Sequence, residues 1–177
     1  RRGQGPRLPL AGRRRGAALV DRRVDAGREA VEQAIEADGF AIAARIEILG
    51  DADSPRQVGE ATGRAVLGFV DAIDRIQPDL FVLLGDRFEA LAAAQAALLL
   101  GVPLAHIHGG EVTEGSLDDS IRHAITKMAS LHFVSAEPYR RRIVQMGEDP
   151  ERVLCVGAPG LENLVRLNIA SREAMLR

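Results

Sequence analysis

From Arg28 to Leu161, short apolar runs alternate at least four times with stretches of helical periodicity, and the connections between them are short. Such an order implies right-handed crossovers, each helix returning the next strand parallel to the last, so the strands form a parallel sheet covered by helices. The fold class read from this pattern is α/β. Asp79 to Asp86 is a nearly unbroken apolar run closed by Gly and Asp, as expected of a strand buried on both faces. Val102–Ile107, Leu131–Ser135 and Arg152–Val156 read as further strands, and Ala44–Leu49 alternates like one.

The intervening segments carry the other period. Val58, Ala61, Ala65, Val66, Phe69, Val70 and Ile73 recur every three or four residues between Pro55 and Ile76, and Pro78 ends that helix. Phe88–Leu100 is rich in Ala and strongly helix-forming. Asp118–Ser130 and Glu137–Met146 read as helices, and Gly157-Ala158-Pro159-Gly160 opens a last one from Leu161. Ahead of these, Ala30, Val31, Ala34 and Ile35 have helical spacing, with Gly39 as the stop. Residues 1–27 are dense in Arg, Gly and Pro without a period, and only Ala17–Val20 reads as a short strand. This segment is expected to be irregular, through disorder or mistranslation. The absence of a leading Met suggests a fragment or a displaced start.

Aromatic residues make up only 3% of the chain and there is no Trp, so Ala and aliphatic side chains must build the core. The net charge of −2 gives no bulk attraction for nucleic acid or a membrane surface, and neither is expected as a partner. Lys127 is the only lysine; arginine supplies the other basic side chains. The single cysteine, Cys155, lies in a strand-like run and is expected to be a buried, reduced thiol. The longest apolar stretch, Leu91–Ala105, falls short of the ~20 residues of a membrane span and is interrupted by Gly101 and Pro103. With no signal-peptide pattern, the expected location is the cytoplasm.

Three strand-to-helix junctions carry unusual polar groups, at the sheet edge where open α/β domains bind ligands. Gly85-Asp86-Arg87-Phe88-Glu89 follows the most apolar run. Asp86 there reads equally as an acid–base or hydroxyl-orienting carboxylate and as an N-cap closed by Glu89. In His106-Ile107-His108-Gly109-Gly110-Glu111, strand alternation puts both histidines on one face. The glycines allow a tight turn and a close ligand approach. His108 and Glu111 are the functional candidates, with His106 deeper and structural. In Ser116-Leu117-Asp118-Asp119-Ser120-Ile121-Arg122-His123, Ser116 and Asp119 fit a helix start. Asp119 and His123 are four residues apart and face one side, so the carboxylate can tune the imidazole.

His106, His108, Glu111 and His123 are metal-ligand types, but their spacing matches no compact zinc motif, so no metal is expected. Neither Gly-x-Gly-x-x-Gly nor the phosphate-loop pattern occurs, and no cofactor is expected.

Taken together, Pro78–Glu89, His106–Gly115, Asp118–Lys127 and Val156–Gly160 resemble, in order, the UDP-N-acetylglucosamine 2-epimerase family and especially its hydrolysing branch. The resemblance covers about Ile35–Leu164. It implies a Rossmann-like parallel sheet with helices on both faces, forming one half of a GT-B arrangement. Residues 28–167 would be the N-terminal domain and 168–177 the start of the linker to a second half. The implied reaction removes the C2 proton and expels UDP from C1 of UDP-N-acetylglucosamine or a related UDP-sugar. Water then adds to the glycal to give N-acetylmannosamine, for sialic or nonulosonic acid synthesis. By motif position the catalytic candidates are Asp86, His108, Glu111, Asp118 and Asp119, with Arg87, Gly109, Gly110, Arg122 and His123 binding substrate. His108 stands where some relatives have Glu. The resemblance further implies a dimer or tetramer for the intact enzyme and an inactive isolated segment. Alternatives are a non-hydrolysing 2-epimerase, a non-catalytic oligomerisation half-domain and a metallohydrolase.

Overall fold

The computed structural model describes residues 17–20, 27–48 and 54–161. Its elements are β1 (Ala17–Val20), α1 (Gly27–Ala37), β2 (Ile42–Ile46), α2 (Pro55–Ile76), β3 (Phe81–Leu84), α3 (Phe88–Leu99), β4 (Leu104–Ile107), α4 (Leu117–Met128), β5 (Leu131–Val134), α5 (Glu137–Gln145) and β6 (Val153–Cys155). A short 3₁₀ turn, Pro150–Arg152, precedes β6. The strands expected from the sequence are present, trimmed by one or two residues at their ends. Strand β2 starts earlier than the alternation suggested, although its buried face continues through Ala44, Ile46 and Ile48. Strand β1 falls inside the Arg/Gly/Pro-rich segment, and the residues on either side of it lie outside the described ones. So do residues 168–177, expected to begin a linker, and the continuation beyond Leu161 of the helix expected there.

All observed pairings are parallel. Strands β1 and β2 form one pair, and β3-β4-β5-β6 form a four-stranded sheet in chain order. With strand order following chain order, right-handed crossovers carry α3, α4 and α5 to the same face. Leu83, Leu104, Ile121 and Ile125 join the buried Ala of α3 and α2 in the main core, while Ile143 of α5 packs on Val134 and Val153. Phe69 and Phe81 meet edge to face, their centroids 6.2 Å apart.

Helix α2 shows how local chemistry sets these boundaries. Ser54 caps it by accepting from the Gln57 N–H, while the Gln57 side chain accepts from the Ser54 N–H, closing a capping box ahead of Pro55. At the other end Gln77 adopts a left-handed conformation, φ 50°, just before Pro78. Helix α3 has no side-chain cap and is held by its interior: Ala90, Ala92, Ala93, Ala94, Ala96 and Ala97 are all buried.

Two expectations are overturned. Strand β3 is not buried on both faces, because Val82 and Leu84 are 57% and 64% exposed while Leu83 faces the core. As an edge strand of the four-stranded sheet, β3 is covered by helices only on its Leu83 side among the described residues. Cys155 is exposed, not buried, since it ends β6 at the opposite edge of the same sheet. No helix among the described residues is long and apolar enough to cross a membrane.

Candidate functional site

Strands β3, β4 and β5 deliver their following loops to one edge, and the polar candidates gather there. After β3, Gly85 turns with φ 95° and places Asp86 beyond the strand. The N-cap of α3 is Arg87, without a side-chain cap bond, so the capping role considered for Asp86 is not what its carboxylate does. It accepts from Nη2 of Arg122 on α4. The same nitrogen donates to Thr113 Oγ1 at 3.1 Å, and Nη1 lies 3.5 Å from Asp119 Oδ1. The Arg122 side chain is only 7% exposed, so two carboxylates and a hydroxyl surround a guanidinium largely withdrawn from water. A planar fork of donors suits this arrangement where an ammonium would not.

Ser116 caps α4 by accepting from the Asp118 N–H. Asp119 does not complete a capping box; its carboxylate accepts from the Thr113 N–H at 2.8 Å and lies 3.7 Å from Nε2 of His123. Asp119 thereby ties the loop before α4 to its first two turns. Among the described residues the Asp118 carboxylate makes no ion pair or hydrogen bond, and Arg87 pairs with Glu89 at 3.3 Å, so neither joins the Arg122 network.

The histidines of β4 part company. His106 is fully buried, its Nε2 2.8 Å from the Gly85 carbonyl and its Nδ1 3.2 Å from Thr126 Oγ1. Burial pushes its pKa down to about 4, against the Gly85 contact, which raises it. The ring is therefore neutral at pH 7, with Nε2–H donating to Gly85. His108 follows the end of β4 with φ 65°, a conformation costing a non-glycine residue on the order of 1–3 kcal/mol. That turn breaks the alternation expected to put both histidines on one face. His108 instead meets Glu111, its Nδ1 2.7 Å from Oε1, and both side chains are 28% exposed.

Ser135, the first residue after β5, donates to the same Glu111 oxygen at 2.6 Å. Burial works to raise the Glu111 pKa, but these two hydrogen bonds and the nearby His108 and Arg122 charges outweigh it and hold the carboxyl below its usual range. Ser135, Thr113 and Thr126 were not among the sequence candidates. Ser135 occupies a junction equivalent to those of Asp86 and His108, which is the one signal that marks it.

Packing leaves little room for a side chain at Gly109 and none at Gly110. A Cβ on Gly109 would lie 3.0 Å from both His106 Nδ1 and Thr126 Oγ1. On Gly110, at φ 75°, it would lie 2.7 Å from the Tyr139 carbonyl oxygen. Helix α5 fills the space beside this turn, and Arg142 donates to the Gly110 carbonyl. No group of three or more His, Cys, Asp or Glu side chains with metal-holding geometry occurs among the described residues.

A parallel α/β domain whose acids, imidazoles and guanidinium collect beyond the carboxyl ends of its strands is a Rossmann-like domain, of the kind that carries its ligand site at that edge. The family model for UDP-N-acetylglucosamine 2-epimerase matches residues 24–176, and the chain belongs to that family. It is 40% identical over 134 residues to the GDP/UDP-N,N'-diacetylbacillosamine 2-epimerase (hydrolyzing) of Campylobacter jejuni, covering 76% of this chain and 35% of that protein. It is 36% identical over 141 residues to the polysialic acid biosynthesis protein P7 of Escherichia coli, covering 80% and 36%. The chain thus spans about a third of the length of these relatives. The fold matches that of UDP-GlcNAc 2-epimerase from Neisseria meningitidis, solved with UDP-GlcNAc bound, with TM-score 0.69, 19% identity and coverage of 84% and 42%.

Proposed function

We propose that this chain forms one wall of the active-site cleft of a hydrolysing 2-epimerase acting on a UDP-linked 2-acetamido sugar. The observation that carries this reading is the buried Arg122 held between Asp86 and Asp119, beside the His108–Glu111 pair, at the carboxyl edge of the sheet. The reaction takes a proton from C2, breaks the C1–O bond to release UDP and adds water across the resulting double bond. A base is needed at C2, an acid at the departing or incoming oxygen, and fixed charge near both. Asp86, Glu111, Asp118 and Asp119 are the carboxylates proposed to serve there, His108 is the imidazole, and Arg87, Arg122 and His123 orient substrate. Gly109 and Gly110 shape the loop that presents His108 and Glu111. The remainder of the cleft comes from a second half-domain, and the isolated chain is inactive. The enzyme works in the cytoplasm.

The names of the relatives divide the substrate question. UDP-N-acetylglucosamine and UDP-N,N'-diacetylbacillosamine differ at C4 and C6, so both belong in the test. Incubating the full-length gene product that carries this chain with each should yield free UDP and the free 2-epimeric sugar from one of them. Recovery of an intact epimeric UDP-sugar would assign the non-hydrolysing reaction; no turnover of either would reject the proposal. A second reading, self-association, has its own observation in the exposed Leu98, Leu99 and Leu100 at the end of α3. Light scattering of the 177-residue chain tests it, and a monodisperse monomer at high concentration would argue against it.

A further inference from the structure

We propose that Ser135 is a positioning residue that, through Glu111, fixes which ring nitrogen of His108 carries the proton and leaves Nε2 as the proton-transfer atom. The proposal rests on the cleft reading above for its chemistry, and on the geometry of three side chains for its substance.

One oxygen of Glu111 accepts two hydrogen bonds, from His108 Nδ1 at 2.7 Å and from Ser135 Oγ at 2.6 Å. An ionised carboxylate has no proton to give, so the Nδ1 facing it must be the protonated nitrogen. The neutral imidazole then presents a lone pair at Nε2, which has no hydrogen-bond partner among the described residues. Two donors converging on Oε1 fix the rotation of the carboxyl group better than one. They come from neighbouring junctions: His108 directly follows β4 and Ser135 directly follows β5, strands paired through Ile107 and Phe133. The backbone shares the task, since the His108 N–H donates to the Phe133 carbonyl at 3.0 Å and φ at His108 is held at 65°. When Nε2 takes a proton from the substrate or from water, the ring becomes an imidazolium and the adjacent carboxylate balances its charge. Returning that proton restores the neutral ring. In this exchange His108 carries the proton, and of the roles open to the cleft carboxylates Glu111 fills that of fixed charge.

Ring-nitrogen NMR of the ¹⁵N-labelled 177-residue chain reads the tautomer directly and needs no substrate. The expected result is a His108 ring in the Nδ1–H form when neutral, although an imidazole free in water favours Nε2–H. Ser135→Ala and the closely isosteric Ser135→Cys should lose that preference, and Ser135→Thr, which keeps a hydroxyl, should retain it. A wild-type His108 in the Nε2–H form overturns the proposal, as does an Nδ1–H form untouched in both Ser135→Ala and Ser135→Cys. If the Ala variant does not fold, the Cys and Thr variants decide. In the active full-length protein, Ser135→Ala should lower kcat for UDP release by about tenfold or more with KM within about twofold, and Thr should rescue it. An unchanged kcat removes the positioning role. An inactive wild type instead removes the cleft reading, while the NMR result still decides the tautomer.

Discussion

Arg122 donates from Nη2 to the carboxylate of Asp86, tying the helix after β4 to the loop after β3. The same guanidinium holds Thr113 and Asp119, so one side chain ties two loops to the first turn of its own helix. Arg122→Met keeps most of the volume but leaves two carboxylates without their counter-charge. Breaking a fully buried pair costs about 3–5 kcal/mol; with Asp86 and Asp119 partly open to water, the expected loss is about 2–3 kcal/mol. Urea denaturation at pH 7 measures it, and adding Asp86→Asn to Arg122→Met should recover part of the loss. A single-variant cost below about 1 kcal/mol would show that solvent already neutralises these carboxylates.

The neutral His106 makes stability depend on pH. Its pKa is depressed from 6.5 to about 4 in the folded chain, chiefly by burial. Above pH 6.5 the ring is neutral whether the chain is folded or not, and its contribution is fully present. As the pH falls from 6.5 toward 4, the unfolded chain takes up the proton first and stability drops, by a total on the order of 3 kcal/mol. His132, buried beside it across the sheet, is lowered by burial too and works in the same direction. Denaturation midpoints across this window should fall with pH, and His106→Gln should flatten the dependence. Equal slopes in the two proteins would contradict the assignment.

Gly110 and Gly39 separate two reasons for a glycine. Both have positive φ, 75° and 83°, but a Cβ on Gly39 meets nothing within 4 Å, whereas on Gly110 it strikes the Tyr139 carbonyl oxygen and Ile143. Gly39→Ala should cost about 1 kcal/mol, the strain of the left-handed backbone alone. Gly110→Ala should cost at least about 2 kcal/mol more, because backbone oxygen cannot swing away. Thermal denaturation of the pair tests the order.

Cys155 should react with a thiol reagent in the native state. Its exposure at the end of edge strand β6 predicts one equivalent of modification without denaturant, at a rate close to that of the unfolded chain. Modification only after unfolding would mean that this edge is covered.

The alternation of periods made the parallel sheet legible, and helix α2 was readable at both ends because Pro55 and Pro78 mark its limits, the Ser54 cap being added by the structure. The identity of the cluster was legible in part. Asp86, Asp119 and Arg122 lie at junctions whose edge the sheet topology brings together, and the i,i+4 relation of Asp119 and His123 is a property of any helix. What local pattern does not contain is the direction a side chain takes once the chain leaves regular structure. His108 should have followed His106 by alternation, but a left-handed backbone sends it to Glu111. Ser135 carries no motif and becomes visible only when β5 is placed next to β4. Cys155 and Val82 are exposed against expectation for one reason: an apolar run does not say whether its strand lies at the centre or the edge of a sheet.

All the buried positions of helix α3 are alanines, Ala90, Ala92, Ala93, Ala94, Ala96 and Ala97, with Phe88 and Leu91 packing beside them. Truncating a methyl to hydrogen removes little volume, while each added carbon must push a whole helix or sheet layer outward. The mutational tolerance of this layer is therefore one-sided. Sequence drift at the buried positions of α3 is confined to trading one small residue for another, and the close approach of α2 and α4 to this helix is inherited with it.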